Sequence, residues 1–303
     1  MLKVVDRMEE ANCITHSGTF HADDVFASAF LEMYLGDVSI FRTNFVDFSK
    51  VSDSMLIYDV GRGKFDHHQN DALKRENGIP YCSFGLLWKE YGHDFLRKMG
   101  IELVDRVWEM FDKDFVEGID ADDNGVFPKV EAPFKVKMIP GVIKTFNPSF
   151  HTEQTESGQF EKACSLAKLI LEEEIYYVQG KALAEEQILD QLDDLEDGSK
   201  YMVLKTFLPY EETLLSEEKA NSILFVAYPS NRGGYAIKTV PKSLEDRSTR
   251  MDFPLEWAGL EGEELEKVSG ISGLTFCHAT RFLVSCRDLD TVYQVFQKIL
   301  IDC

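Results

Sequence analysis

Four short clusters near the start of this chain gather the side chains that bind metal ions. The first is Thr15-His16-Ser17-Gly18-Thr19-Phe20-His21-Ala22-Asp23-Asp24, and the second is Tyr58-Asp59-Val60-Gly61. The third is Phe65-Asp66-His67-His68-Gln69, and the fourth is Glu117-Gly118-Ile119-Asp120-Ala121-Asp122-Asp123-Asn124-Gly125. Imidazole and carboxylate donors at separate strand ends can converge on a divalent cation, and there are enough here for two ions. Carboxylates that bridge two ions about 3.5–4 Å apart create the geometry for in-line attack on phosphorus. A lone histidine at a strand end is more often structural than a ligand. Two adjacent histidines after an aspartate, together with H-x4-H-x-D-D, reverse that balance and predict a metal site.

Such clusters need elements to bring them together. Residues 13–16 read as the end of a short strand running into a polar loop. Over 24–35 the apolar residues Val25, Phe26, Ala29, Phe30, Met33 and Tyr34 recur at helical spacing, and Gly36 follows as a stop signal. Residues 38–41 and 55–60 are short β-rich runs, the second closing on Asp59 and Gly61, while 83–91 and 101–116 carry helical patterns. Strands separated by helices predict an α/β fold with a mostly parallel sheet flanked by helices. Ligands of such sheets bind at the carboxyl edge, where the first cluster sits.

Periodicity fades over 125–150, a segment punctuated by Pro128, Pro133, Pro140 and Pro148. A helical tract over about 159–195 follows, with a break or kink expected near Gly180. Asp197-Gly198-Ser199 is the best boundary, giving a metal-binding catalytic domain at 1–197 and a smaller C-terminal α/β domain at 198–303. In the latter, 201–208, 223–228 and 235–240 read as strands and 288–300 as a closing amphipathic helix.

Composition sets the outer limits. The 303 residues carry 53 acids and 32 bases, a net charge of −21, and 44% are hydrophobic, so the chain folds rather than staying disordered. That charge excludes a broad basic groove for nucleic acid, but not phosphate chemistry at a metal-filled site. Residues 171–197 hold ten acids and one lysine, the pattern of a solvated helix face. No apolar run approaches the roughly 18 residues that span a bilayer, and residues 1–12 lack the apolar stretch of a signal peptide. Six cysteines (Cys13, Cys82, Cys164, Cys277, Cys286, Cys303) form no C-x-x-C pair and read as buried thiols of an intracellular protein, cytoplasmic or nuclear.

The motifs T-H-x-G-x-F-H-A-D-D, Y-D-V-G, F-D-H-H-Q and I-D-A-x-D-N-G, in this order, resemble those of the melanocyte proliferating gene (MYG) family. Asn147-Pro148 fits an N-P-x-aromatic element, and Trp257-Ala258-Gly259-Leu260 with Val268-Ser269-Gly270-Ile271 fits the family's C-terminal pattern. The resemblance covers most of the chain. It implies a metal-dependent hydrolase, described as a 3′–5′ RNA exonuclease, whose sheet and D-H-H element are similar to the DHH phosphoesterases. It further implies two divalent cations, Mn²⁺ foremost with Mg²⁺ or Zn²⁺ open, and single-stranded RNA or a nucleotide as substrate.

On that resemblance His16 and His21 hold one metal and Asp23 the second, Asp59 bridges, and His67 completes the second site. His68 contacts a phosphoryl oxygen, Asp66 orients the pair, and Asp24 serves as a base or outer-shell group. Asp120 and Asp123 both match the family pattern for the last ligand, with Asp120 preferred because it follows directly on the apolar helix end. Ser83, Arg232 and Arg250 are the substrate-binding candidates, although Arg232-Gly233-Gly234 also suits a plain hairpin turn. Lys129, Lys135 and Lys137 interleave with Phe127 and Phe134 as a short basic patch. The chain departs from the family at Cys82-Ser83-Phe84-Gly85, at Glu90, and around His278-Ala279-Thr280-Arg281-Phe282. These departures bear on substrate preference and turnover more than on metal binding. Two other readings share the motifs: hydrolysis of small phosphoanhydrides or short oligonucleotides, and a decayed metal-binding regulatory protein.

Overall fold

A computed structural model describes residues 1–69 and 73–301 of the chain. Its contacts divide it into two compact units, Met1–Ala182 and Leu183–Cys303. The first unit runs β1 (Leu2–Val5), β2 (Cys13–Thr15), α1 (Ala22–Leu35), β3 (Val38–Arg42), β4 (Leu56–Ile57), α2 (Ser83–Lys98), α3 (Val104–Phe111), α4 (Glu117–Asp123) and α5 (Ile139–Ile143). The long helix α6 (Glu156–Asp194) follows and contributes to both units.

The four strands form an all-parallel sheet in the order β1-β3-β2-β4. Cys13, Ile14 and Thr15 are fully buried, as expected for an inner strand of a parallel sheet covered on both faces. Residues after β2 and β4 therefore emerge together at one sheet edge. Behind them lies an aromatic core. Phe26 and Phe30 of α1 meet Phe84 and Trp88 of α2, with Phe30 packing edge-to-face on Phe84, Trp88 and Phe95.

The second unit is built separately. It contains β5 (Tyr201–Val203), α7 (Glu211–Ser216), β6 (Phe225–Pro229), β7 (Tyr235–Thr239), α8 (Gly262–Ser269), β8 (Leu274–Cys277), β9 (Leu283–Cys286) and α9 (Leu289–Ile299). Its sheet is mixed, ordered β5-β6-β7-β9-β8, with only β5 and β6 parallel. Alternation splits β6 between two cores: Phe225 and Ala227 pack with Val292, Val295 and Phe296 of α9, while Val226 joins Ile188 and Leu192 from the end of α6. Asp288 caps α9, accepting from the Thr291 backbone N–H at 2.9 Å.

The structure departs from the sequence expectations in several places. Helix α6 runs through Gly180 without a break, because Ile175, Val178 and Ala182 on either side are buried and hold its register. The helix expected at 101–116 passes through a π-helical stretch, Asp112–Val116, into α4. Strands β1, β8 and β9 and helix α8 carry too little periodicity to be read from sequence. The compact units divide inside α6, and Asp197-Gly198-Ser199 forms a turn beyond its end, where the sequence expectation puts the domain boundary. Cys13, Cys82, Cys164, Cys277 and Cys286 are buried and unpaired; Cys303 lies outside the described residues. Among the described residues no helix is long and apolar enough to cross a membrane.

Two helical glycines make opposite predictions. A Cβ on Gly92 would lie 2.7 Å from Trp108 Nε1 and 2.9 Å from Trp88 Cδ2, whereas at Gly180 nothing lies within 4 Å. Gly180→Ala should stabilise by about 0.5–1 kcal/mol through helix propensity, and Gly92→Ala should destabilise by about 1–3 kcal/mol through overpacking. Urea unfolding of both variants checks the contrast; equal effects would contradict the packing described.

Candidate metal centre

The centre grows from the ends of β2 and β4 and the start of α1. His16 follows β2 directly, and His21 precedes the first turn of α1. The His21 backbone N–H donates to Asp24 Oδ1 at 2.8 Å, leaving Asp24 Oδ2 to face His16 Nε2 at 3.1 Å. After β4 the chain turns at Asp59, which adopts φ 55°, a left-handed conformation that non-glycine residues rarely take. That turn carries a carboxylate into the space between two imidazoles. Asp59 Oδ2 lies 3.2 Å from His16 Nε2, and Oδ1 lies 3.3 Å from His67 Nε2.

Around His67 a second set assembles. Asp123 Oδ2 stands 3.2 Å from His67 Nε2, and Asp123 Oδ1 stands 3.5 Å from His21 Nδ1. Asp66 accepts from the Arg62 and His68 backbone N–H groups and meets His68 Nδ1 at 2.8 Å, which fixes that ring. Three donor groups thus overlap, His16/Asp24/Asp59, Asp59/His67/His68 and Asp23/His67/Asp123, each with its donor atoms within 4.8 Å of one another. His16, His21, Asp59, His67, His68, Asp123 and Asn124 line a cleft of about 460 Å³.

The unpaired atoms test whether cations fit. His16 Nε2, Asp24 Oδ2 and His67 Nε2 are buried without a hydrogen-bond partner, a condition that costs about 1–3 kcal/mol per group when nothing satisfies it. Their separations of 3.1–3.3 Å match neighbouring ligands around a cation with bonds of about 2.1 Å. The donor set fits divalent ions, and Asp59 offers one oxygen to each side.

Asp120 sits elsewhere. It is fully buried at the N-terminus of α2, accepting from Arg75 Nη1 at 2.5 Å and from the Gly85 backbone N–H at 3.1 Å. Cys82 Sγ lies within hydrogen-bond reach of both Asp120 and Asp23, with one S–H to donate, and the three form a fourth donor group set behind the cleft. Asp23 in turn accepts from the Ser83 and Phe84 backbone N–H groups at 3.1 and 2.6 Å. Asp120 is therefore engaged by a guanidinium and helix amides, and the structure puts the second choice, Asp123, beside His67. One helical turn separates the two residues, and only packing against Arg75 and α2 distinguishes them.

Burial and charge move the titrations. Burial works against ionisation of Asp59, yet contacts with His16 and His67 hold its carboxyl down to about 2. The same contacts overcome burial at the rings, raising His16 to about 11 and His67 to about 9. Burial pushes Asp23 well up, Asp123 up, and Asp120 to about 6 against the pull of Arg75.

Three residues that the sequence did not single out as functional hold the first loop. Arg42 donates to the carbonyls of His16 and Gly18, both at 3.1 Å, pairs with Glu156 at 2.7 Å and stacks over Phe160 at 4.2 Å. Glu156 also accepts from the Gly18 backbone N–H at 2.9 Å. The Asn147 amide grips Phe20 twice, accepting from its N–H at 3.0 Å and donating to its carbonyl at 2.9 Å. Asn147-Pro148 was the sole sequence signal for any of them.

The substrate-binding candidates lie outside this cleft. Ser83 is buried at the start of α2 with its hydroxyl unpaired. In the second unit, Arg232 lines a groove of about 760 Å³ with Phe207, Tyr228, Phe276 and His278. Arg250 donates to the carbonyls of Ala220 and Ile223 at 2.7 and 2.9 Å and so braces a turn.

The titrations give a signed prediction. An imidazolium at His67 stabilises the metal-free fold fully below the unfolded value of about 6.5, and this is lost as pH rises through about 9. A metal ligand must be neutral, so protons compete with the ion and affinity rises with pH. The rise in Tm on adding Mn²⁺ should therefore grow between these two pH values, while the chelated protein melts lower at the upper one. A metal-induced rise that is independent of pH would remove the imidazoles from coordination.

Known proteins place the chain among relatives. A family profile, MYG1_exonuc, described as an uncharacterised protein family (UPF0160), matches residues 12–300. The MYG1 protein YER156C of Saccharomyces cerevisiae is 29% identical over 99% of this chain and 98% of its own length. The human MYG1 exonuclease is 28% identical over 89% of this chain and 80% of its own. A MYG1 protein of Chlamydia trachomatis is 28% identical, covering 89% of both. No solved structure matches significantly. With the profile covering residues 12–300 and so all four clusters, the chain belongs to the MYG1 family.

Proposed function

We propose that this protein is a metal-dependent phosphodiesterase that removes nucleotides from single-stranded RNA in the 3′–5′ direction. The observation that carries the reading is Asp59, whose two oxygens face separate donor sets at 3.2 and 3.3 Å. The name of the human relative, MYG1 exonuclease, supports a nuclease.

His16, Asp24 and Asp59 would hold one divalent cation, of Mn²⁺ type, and Asp59, His67, Asp123 and Asp23 the other, with His21 at the rim. Such a pair supplies hydroxide near neutral pH and stabilises charge on attacking and leaving oxygens. The protein's own groups do the positioning. Asp66 takes His68 Nδ1 and leaves Nε2 of this half-exposed ring to donate, when protonated, to a phosphoryl oxygen. Asp23, held by the amides of α2, keeps its carboxylate aligned without recruiting a mobile cation. Residues 1–197 would form the catalytic part and 198–303 the part that engages substrate, with Arg232 contributing there. Buried, unpaired thiols suit a reducing compartment, cytoplasm or nucleus.

A second reading is hydrolysis of short oligonucleotides or small phosphoanhydrides. The cleft of about 460 Å³ favours it, since that volume falls in the range of small-ligand sites.

Purified protein with Mn²⁺ should shorten end-labelled RNA, and His67→Ala or Asp59→Asn should abolish this. Asp123→Asn should weaken Mn²⁺ binding more than about tenfold, whereas Asp120→Asn should lower Tm with a smaller effect on affinity. Calorimetry separates the two; the reverse order would make Asp120 the ligand. Turnover confined to two-mers would favour the small-substrate reading, and absence of micromolar metal binding would sink both.

A further inference from the structure

Between the carboxylate Asp123 and helix α5 the chain makes an excursion that the core does not use. Residues 125–138 are all exposed and form neither helix nor strand. Even so, Phe127 and Phe134 are 66% and 71% exposed, and Val130, Val136 and Met138 also stand in solvent. Irregular segments longer than about 12–15 residues are uncommon in compact domains and are usually either functional or linkers. Apolar side chains concentrated in the open mark an interaction surface.

The charge of this segment runs against that of the protein. Lys129, Lys135 and Lys137 face a single acid, Glu131, in a chain of net −21. Pro128 and Pro133 each fix φ at their own position, which reduces the ordering cost of binding. The segment starts beside the cleft. Val126 N–H donates to Ala121 O at 2.8 Å and Asn124 Nδ2 to Asp120 O at 2.8 Å, while Asn147 holds Phe20 beside His21.

We propose that residues 125–138 are an arm that engages a single strand of nucleic acid, its lysines on phosphates and Phe127 and Phe134 on bases. The proposal rests on the nuclease reading above and names how an acidic protein holds its strand. Ring faces stack on any base, so the arm is indifferent to sequence, and lysine–phosphate contacts weaken with salt. A membrane surface fits less well, because Pro128 and Pro133 prevent the amphipathic helix that would lie in it.

The test titrates full-length protein, held metal-free with EDTA to prevent cleavage, into fluorescein-labelled single-stranded RNA at several salt concentrations. Anisotropy should report salt-dependent binding. The variant Lys129→Glu/Lys135→Glu/Lys137→Glu should bind at least about tenfold more weakly. Its slope of log K against log salt should be shallower by about 2, from about 0.7 per phosphate contact on a single strand. Phe127→Ala/Phe134→Ala should weaken binding about fivefold or more at an unchanged slope. Mn²⁺ affinity by calorimetry should be the same in all three proteins, which shows the centre to be intact.

Equal affinity and slope in all three would overturn the arm, as would absence of RNA binding by the unaltered chain. Loss of binding to phosphatidylserine vesicles in the lysine variant, with RNA binding retained, would overturn it in favour of a membrane surface. The arm is judged by binding and the nuclease reading by shortening of RNA with Mn²⁺, so the two fail separately.

Discussion

The placement of one carboxylate, that of Asp59, organises the first unit. Its backbone leaves β4 in a left-handed turn, a conformation that costs about 1–2 kcal/mol without glycine's freedom. Tyr58, fully buried, anchors the approach through its backbone N–H to Ile14 O at 3.1 Å and its hydroxyl to Ser28 at 2.5 Å. The Asp59 N–H then donates to Phe65 O at 3.0 Å, tying the turn to the strip that carries Asp66, His67 and His68. Two sequence clusters thereby share one backbone hydrogen bond, and the carboxylate between their imidazoles follows from it.

The cost of this arrangement extends well beyond Asp59. Among the described residues every buried carboxylate is an aspartate in this centre or directly behind it: Asp23, Asp24, Asp59, Asp66 and Asp120. Burying an unpaired charge is expensive, and the fold sets polar partners against each, which for Asp59 are His16 and His67. Asp23 and Asp120 receive helix amides of α2, Asp66 receives loop amides and His68, Asp24 the His21 amide, and Asp120 also Arg75. Gly85 shows how tight the packing is, since a Cβ there would lie 2.0 Å from Asp120 Oδ2. A protein selected for stability alone would replace such a cluster with apolar side chains, so its retention argues for chemistry.

How much of this was legible in the sequence depends on which atoms carry the interaction. Side-chain donors are written as residue types, and His16, His21, Asp23, Asp59, His67 and His68 could be read from spacing and resemblance. The parallel sheet was legible for the same reason, through the alternation of β-rich and helical runs. The surroundings of Asp120 and Asp123 were not, because they turn on Arg75 and the α2 amides, which are distant in sequence. Arg42 and Asn147 act on backbone carbonyls and N–H groups, and such partners leave no trace in residue type. Strands β8 and β9 escaped because four-residue antiparallel segments such as Leu283–Cys286 alternate too briefly to register.

The net charge of −21 takes on a different meaning at this scale. Its acids fall into two populations with opposite physics. Those of the second half of α6 are solvated and, beyond a Debye length of about 8–10 Å, largely screened. Those of the centre are desolvated, and their mutual repulsion persists at any ionic strength, which is why burial raises Asp23 and Asp123 even with imidazoles beside them. Only the buried population bears on phosphate chemistry. Two divalent cations would offset four of its negative charges locally while leaving the outer surface acidic, so attraction for a phosphate would be confined to the cleft and the basic segment that borders it. An acidic exterior then works as a filter: a polyanion gains nothing from the general surface and binds only where metal or lysine is in reach.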